Sequence, residues 1–368
     1  MFSFGDINNY GDLLFAHIFG MEMRSRLKGV PIDLYAPTSG NFQGLQYNAY
    51  SRRKIEGRYD ALILAGGEVV HFFDERTWKP VYAKMNARLE SDLPSDVVWD
   101  WAGLEVPFKA WISVGVRPFE DRMDEEKLRS ALEGLDHLSV RGVLSKKILE
   151  QGDLNFYDPR ITITPDLGWL FPKFLDRQGK RGKLFSAITG GEKEYALYQV
   201  NNITEDEAAI IATQLCEFQR EQGIRVLLLP VIHAWEDVKY LRMIEERSNG
   251  ELKLLPNELG LLEMADLMVN ARIVLSSSLH TAITALAACV PAGIINKWQG
   301  TKLQDLFGHQ FRLHFLDKDV SKTLQMMQGL VTEGKNTEIL EAYARFMVLR
   351  LEKLFDELAD RIASSPSR

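Results

Sequence analysis

Short apolar runs and longer amphipathic stretches take turns along almost the whole chain. The short runs read as buried strands, and the stretches with apolar residues every three or four positions read as helices. In the first half, strands are predicted at 31–35, 60–65, 108–114, 137–140 and 161–164, with helices at 13–27, 125–134 and 144–151. In the second half, strands are predicted at 195–200, 225–230, 252–255, 272–275 and 292–296, with helices at 205–222, 234–247, 259–269 and 279–289. Thr204 and Glu207 form a capping-box signature at the first of these later helices. Strands separated by helical stretches mean βαβ units, hence parallel sheets with helices on both faces. The predicted fold class is α/β, with two doubly wound Rossmann-like domains.

The alternation breaks between Pro172 and Leu184, where Lys173, Arg177, Lys180, Arg181 and Lys183 cluster with Gly179 and Gly182. This is a linker composition, so the domains are placed at 1–175 and 185–330. The basic residues are either a solvated connector or a face for an anionic ligand or lipid surface. The last element, 336–363, is a long helix carrying Leu340, Phe346, Leu349, Leu351, Leu354, Phe355 and Leu358. It is expected to pack back on the first domain; the alternative is a dimer helix, which would make the protein a homo-oligomer.

Composition narrows the class. A chain of 368 residues exceeds a typical single core, and 46% hydrophobic with 26% charged residues is ordinary for a globular protein. A net charge of −7 argues against nucleic acid as a partner. No zinc-type spacing is present, and Cys216 and Cys289 both fall in apolar helical patterns, which suits reduced thiols in a reducing compartment. Asp6 interrupts the N-terminus too early for a signal peptide, and the apolar stretch 279–295 is too broken by His280, Pro291 and Gly293 to span a bilayer. The expected location is cytoplasmic, with the basic linker allowing peripheral association at the inner face of the membrane.

Candidate chemistry collects at strand ends. Ser276-Ser277-Ser278-Leu279-His280 joins a strand to an alanine-rich helix. Hydroxyls and N–H groups at a helix N-terminus suit an anion, and His280 adds a group that holds or moves a proton near neutral pH. A capped core helix with an incidental histidine is the competing reading. Near the start, Gly5-Asp6-Ile7-Asn8-Asn9-Tyr10-Gly11-Asp12 resembles a phosphate loop but lacks the following Lys-Ser/Thr, which excludes the ATP-type loop. Asp12 is a general base, a ligand for a sugar hydroxyl, or the N-cap of the first helix. Gly66 and Gly67 end a buried strand where a ligand can approach the backbone. Arg117 and Arg141 each follow a strand, as does Asp166; arginine offers a planar fork for carboxylate or phosphate. His233 ends another strand before Glu236-Asp237, acids read as complementing a helix dipole or binding sugar, and Lys297 follows the strand after the His280 helix.

These segments together resemble the polysaccharide pyruvyl transferase family. The likeness rests on Asn9-Tyr10-Gly11-Asp12, Ala65-Gly66-Gly67, Ser113-Val114-Gly115-Val116, Val140-Arg141 with Ser145, Asp166, Pro230-Val231-Ile232-His233 with Glu236-Asp237, and Leu279-His280 through Val290-Pro291. It spans roughly residues 5–310, carried by order and spacing. The resemblance implies a fold similar to two-domain glycosyltransferases of the B type. It implies transfer of an enolpyruvyl-derived group from phosphoenolpyruvate to sugar hydroxyls, giving a pyruvate ketal in surface polysaccharide biosynthesis. By the same resemblance His280 and Asp12 are catalytic, and Arg141, Arg117, Ser277, Ser278 and Lys297 bind the donor. Asn9, Gly66, Gly67 and His233 bind the acceptor, a nucleotide- or lipid-linked saccharide. No cofactor is expected, phosphoenolpyruvate being a substrate. The chain departs from the family pattern at Ser278, where many members carry Arg, and at Gly142, where Asp is usual. A nucleotide-sugar-dependent glycosyltransferase and a catalytically silent sugar-binding relative are the alternative readings.

Overall fold

The computed structural model describes residues 1–7, 9–70, 82–83, 101, 103–117, 125–151, 156–175, 188, 194–232, 236–297, 302–305, 316–334 and 337–365. The basic stretch Arg177, Lys180, Arg181 and Lys183 lies outside the described residues, as does His233. Internal contacts divide the chain into two units. One holds Met1–Asn8, Asp12–Leu167 and Leu349–Arg368; the other holds Asn9–Gly11 and Gly168–Val348.

The first unit runs α1 (Tyr10–Arg26, entering from the second unit's short piece), β1 (Leu34–Ala36), β2 (Gly40–Phe42), β3 (Leu45–Ala49), α2 (Arg52–Ile55), β4 (Ala61–Ala65), β5 (Phe108–Val114), α3 (Glu125–Glu133), β6 (His137–Val140), α4 (Val143–Gln151) and β7 (Thr162–Ile163). Ladders β4–β5–β6–β7 and β1–β3 are parallel, and β2 pairs antiparallel with β3 as an edge hairpin. Phe2 joins the two groups, bridging Tyr35 on β1 and Leu64 on β4 in the parallel sense. The chain therefore steps outward from Phe2 in one direction to β1 and β3 and in the other to β4 through β7. That reversal is the switch point of a doubly wound sheet.

The second unit contains β8 (Tyr195–Gln199), α5 (Glu205–Gln222), β9 (Arg225–Leu228), α6 (Asp237–Arg247), β10 (Lys253–Leu254), α7 (Leu261–Asn270), β11 (Ile273–Ser276), α8 (Leu279–Ala287), β12 (Ala292–Ile295), β13 (Leu316–Asp317) and α9 (Thr323–Glu333). Its sheet is wholly parallel among the described residues, in the order β10-β9-β8-β11-β12-β13. Alternation along β8 sorts the layers. Ala196 and Tyr198 join the core with Ile211, Leu215 and Phe218 of α5, Leu241 and Ile244 of α6, and Met327 and Leu330 of α9. Tyr195 points the other way and donates to the Leu267 carbonyl of α7 at 2.7 Å. Helix α8 packs on β11, β12 and α7.

The long final helix, α10 (Thr337–Ser364), contributes to both units. Tyr343 meets Trp169 edge-on at 5.3 Å in the second unit. In the first, Phe355 packs on Phe19 at 6.1 Å, Asp356 pairs with Arg26 at 2.7 Å, and Arg361 donates to the Asp136 carbonyl at 3.0 Å. Among the described residues no helix is long and apolar enough to cross a membrane.

The α/β alternation matches the reading of the sequence, and the Thr204–Glu207 capping box is present in both directions. Two details differ. Cys289 lies beyond the end of α8, in left-handed backbone with φ 62, and is only partly buried, whereas Cys216 is buried; neither is in a disulfide. The hairpin β2–β3 and helix α9 are additions of the structure to the predicted elements; α9 buries Thr323, Met326, Met327 and Leu330 on one face, and β3 alternates over Leu45–Ala49.

Candidate active site

In a doubly wound sheet, ligands bind outside the carboxyl ends of the strands at the switch point. In the second unit this lies between β8 and β11, which pair from Ile273 on Ala196 to Ser276 on Gln199. The residues leaving those two strand ends are Gln199 and Ser276-Ser277-Ser278.

The Gln199 amide organises the serines. Its Oε1 accepts from Ser276 Oγ at 2.7 Å, Ser277 N at 3.0 Å and Ser277 Oγ at 3.2 Å. Ser278 N donates to Ser276 Oγ at 2.8 Å. On its other side Gln199 Nε2 donates to Asp237 Oδ2 at 2.9 Å, so donors and an acceptor on both sides fix which way the amide points. Ser278 occupies the N-cap of α8 without a side-chain cap bond, and Ser276 is fully buried. Asp237 is the first residue of α6, yet its carboxylate turns back to accept Val231 N at 3.2 Å and Ile232 N at 3.0 Å. Burial raises its pKa to about 6, against the lowering effect of the bonds from Gln199, Val231 and Ile232.

His280 sits in the first turn of α8, half-buried, with its ring against Gly11. A β-carbon at Gly11 would stand 1.9 Å from His280 Nδ1 and 2.6 Å from Cε1. The Asn9–Gly11 segment is held there from two directions. Asn9 bridges Ile232 and Tyr10 N donates to the Val231 carbonyl at 3.3 Å. Tyr10 Oη and Thr284 Oγ1 share a buried hydrogen bond of 2.9 Å. Thr284 lies one turn beyond His280 on the same face of α8. Asn9 Oδ1 accepts Gly11 N at 3.2 Å, so Asn9 serves the start of α1 and Asp12 stands inside its first turn.

In the first unit, Gly66 and Gly67 leave β4 at the switch point with φ of 66 and 80. A β-carbon on Gly66 would collide with the Phe15 ring at 2.4 Å, and one on Gly67 would come within 3.6 Å of Asp12 Oδ1. Asp12 thus flanks the diglycine turn. Across β5 and β6, Arg141 is buried with its side chain 3% exposed, its Nη1 3.3 Å from Asp166 Oδ2 and its Nη2 3.8 Å from Glu68 Oε1. Glu68 also pairs with Arg117 Nε at 2.6 Å. A β-carbon at Gly115 would lie 2.6 Å from Arg141 Nη2, so only glycine leaves room for the guanidinium. The strand before it is strained: Ser113 has φ 55 and is buried, with its hydroxyl donating to the Pro165 carbonyl. Asp6 is fully buried and accepts from Thr38 N and Thr38 Oγ1, both at 2.8 Å, and from Tyr82 Oη at 3.2 Å. Burial raises its pKa to about 6.

The sequence-predicted residues therefore fall into two groups. The first unit brings Asp12 to Gly66 and Gly67, and Arg117 to Arg141 through Glu68. The second brings Asn9, Ser277 and Ser278 to the surroundings of His280. Lys297 is engaged separately, with Glu207 Oε2 at 2.5 Å and the Asn202 carbonyl at 3.0 Å. Sequence reasoning missed Gln199, Tyr10 and Thr284 as members of the site. Gln199 carried a faint signal, a lone amide ending a short, mostly apolar strand; the Tyr10–Thr284 pair carried none.

Two solved structures share this architecture. A glycosyltransferase from Rickettsia africae matches with a TM-score of 0.55 at 10% identity over 95% of each chain. The UDP-GlcNAc 2-epimerase of Methanocaldococcus jannaschii matches with a TM-score of 0.55 at 12% identity, over 90% of this chain and 96% of that one. These likenesses define the class as α/β with two Rossmann-like units of the glycosyltransferase-B type. No curated protein matches in sequence. The family model described as polysaccharide pyruvyl transferase matches residues 9–296, and the chain belongs to that family.

Proposed function

We propose that this protein transfers the enolpyruvyl-derived group of phosphoenolpyruvate to two hydroxyls of a saccharide, making a pyruvate ketal for surface polysaccharide. The family match supports the reading, and the observation that carries it is the His280 ring lodged on Gly11 beside the carboxyl ends of β8 and β11. In the reaction the donor's methylene carbon takes a proton and becomes methyl. The adjacent carbon forms bonds to two sugar oxygens and loses its bond to the phosphate oxygen. One hydroxyl proton balances the methyl group and the other leaves with phosphate. His280 is assigned the proton transfer to carbon or from a hydroxyl, and Asp12 the second proton-handling role. Arg141 and Arg117 are assigned to the anionic donor, together with Ser277, Ser278 and Lys297. Asn9, Gly66, Gly67 and His233 are assigned to a nucleotide- or lipid-linked saccharide. Nothing in this chemistry requires a metal or redox cofactor.

The test is acceptor-dependent phosphate release from phosphoenolpyruvate, with His280→Ala as control. Phosphoenolpyruvate at a hundred times its Kd should also stabilise the fold by about 2.7 kcal/mol. Sugar transfer from a nucleotide sugar with no phosphate release from phosphoenolpyruvate would replace this reading with a glycosyltransferase. Neither reaction with any acceptor would leave a silent sugar-binding relative.

A further inference from the structure

The carboxylate of Asp237 stands where several segments of the second unit meet. Its Oδ2 accepts Val231 N at 3.2 Å, Ile232 N at 3.0 Å and Gln199 Nε2 at 2.9 Å. An acid in the first turn of a helix ordinarily faces that helix's own N–H groups. Asp237 instead turns away from α6, and no solvent reaches it. Burying a carboxylate is costly unless hydrogen bonds offset it, and here three donors converge on Oδ2.

Followed outward, the bonds reach the segment seated on the His280 ring and the segment that leads into its helix. Along one path Val231 and Ile232 carry the Tyr10 N and Asn9 pairings, which seat Gly11 on the ring. Along the other, Gln199 Oε1 holds Ser276 Oγ and Ser277 N, and Ser276 Oγ in turn holds Ser278 N at the head of α8. We propose that Asp237, acting through Gln199 and the Val231-Ile232 backbone, is the positioning residue of the His280 site. It sets the Asn9–Gly11 segment at the head of α1 and the Ser276–Ser278 segment at the head of α8 together. The proposal rests on the assignment of His280 as the proton-handling group.

Hydrogen exchange on the full chain tests it without requiring turnover. Asp237→Ala should speed exchange by about tenfold or more in both 9–12 and 276–281, with 61–65 unchanged as an internal control. Gln199→Leu should deprotect 276–281 while leaving 9–12 near wild type. Asp237→Asn keeps an acceptor oxygen and should recover most of the protection. In the phosphate-release assay, Asp237→Ala should lower kcat by about 10²-fold with little change in KM for phosphoenolpyruvate, because a misplaced ring slows chemistry more than binding. Asp237→Asn should restore most of it. Deprotection confined to 231–232, or spread equally over the whole chain, would overturn the proposal. Should Asp237→Ala fail to fold, unchanged exchange at 276–281 in Gln199→Leu overturns it equally. A wild-type protein that releases no phosphate from phosphoenolpyruvate would count against the proposed reaction, and the exchange pattern would still decide the role of Asp237.

Discussion

Gly11 is seated so closely on His280 that a single β-carbon on it would lie 1.9 Å from the imidazole Nδ1. Gly11 does not need its glycine backbone, since it is helical and outside the left-handed region. Alanine there would gain about 1 kcal/mol of helix propensity. The glycine is explained by the ring alone. Gly11→Ala should therefore lower turnover by about 10²-fold through displacement of His280, with a melting temperature near that of wild type. Wild-type turnover in this variant would mean that the ring's position is immaterial.

His280→Ala should reduce turnover by roughly 10²–10⁴-fold, the range of a lost general acid or base. Because the ring is half-buried, stability should change little. The double variant Gly11→Ala, His280→Ala should be no slower than His280→Ala alone, since both act through one group. Independent, multiplying losses would separate Gly11 from the histidine.

The sequence disclosed those parts of the fold whose information is local. Strand β5 at Phe108–Val114 and helix α5 at Glu205–Gln222 occupy the predicted residues, because each is a clean apolar run or a capped amphipathic stretch. The hairpin β2–β3 was hard to read because its strands are only three and five residues long, too short for the alternation of Leu45, Tyr47 and Ala49 against Gln46 and Asn48 to stand out from a loop. In the site, the tripeptide Asn9–Gly11 and the serine run were legible as motifs. What locks them was not: Gln199 meets Asp237 across 38 residues and Tyr10 meets Thr284 across 274, distances that only the topology closes. Asp12 shows the same limit. Its type suited an N-cap, but the backbone gave that place to Asn9.

Asp6 predicts a pH signature. Burial raises its folded pKa to about 6 from an ordinary value of 3.8. The folded state thus holds a proton that the unfolded state gives up, so this contribution is fully present below 3.8 and drains away as pH rises through 6. Relative to Asp6→Asn, the wild type should lose on the order of 2 kcal/mol between pH 4 and pH 7. Urea melts of both proteins at the two pH values measure the difference, and parallel curves would show that Asp6 titrates normally in the fold.

Cys289 ends α8 in a Schellman arrangement, with Cys289 N donating to the Leu286 carbonyl at 2.9 Å and Val290 N to the Ala285 carbonyl at 2.9 Å. The residue in the left-handed position, at φ 62, is ordinarily glycine. Left-handed backbone costs a side-chain-bearing residue roughly 1–2 kcal/mol. Cys289→Gly should consequently raise the melting temperature, with turnover unchanged. A lower melting temperature would mean that packing of the thiol outweighs the backbone strain.

Arg141 separates architecture from substrate binding. Its guanidinium is buried between Asp166 and Glu68, with side-chain exposures of 3%, 4% and 11%. Removing the cation alone takes a partner from two sheltered carboxylates, and such losses typically cost about 3–5 kcal/mol. Arg141→Leu should be severely destabilised for that reason, and its inactivity would say nothing about substrate. Removing Asp166 as well takes away the nearer of the two carboxylates that face Arg141, so Arg141→Leu with Asp166→Leu should recover much of the stability, because buried pairs exchanged for apolar side chains are often nearly neutral. If Arg141 also binds the donor, the refolded double variant should still fail to gain stability from added phosphoenolpyruvate. Thermal melts with and without phosphoenolpyruvate decide the point: a ligand-induced shift equal to that of the wild type would leave Arg141 a purely structural cation.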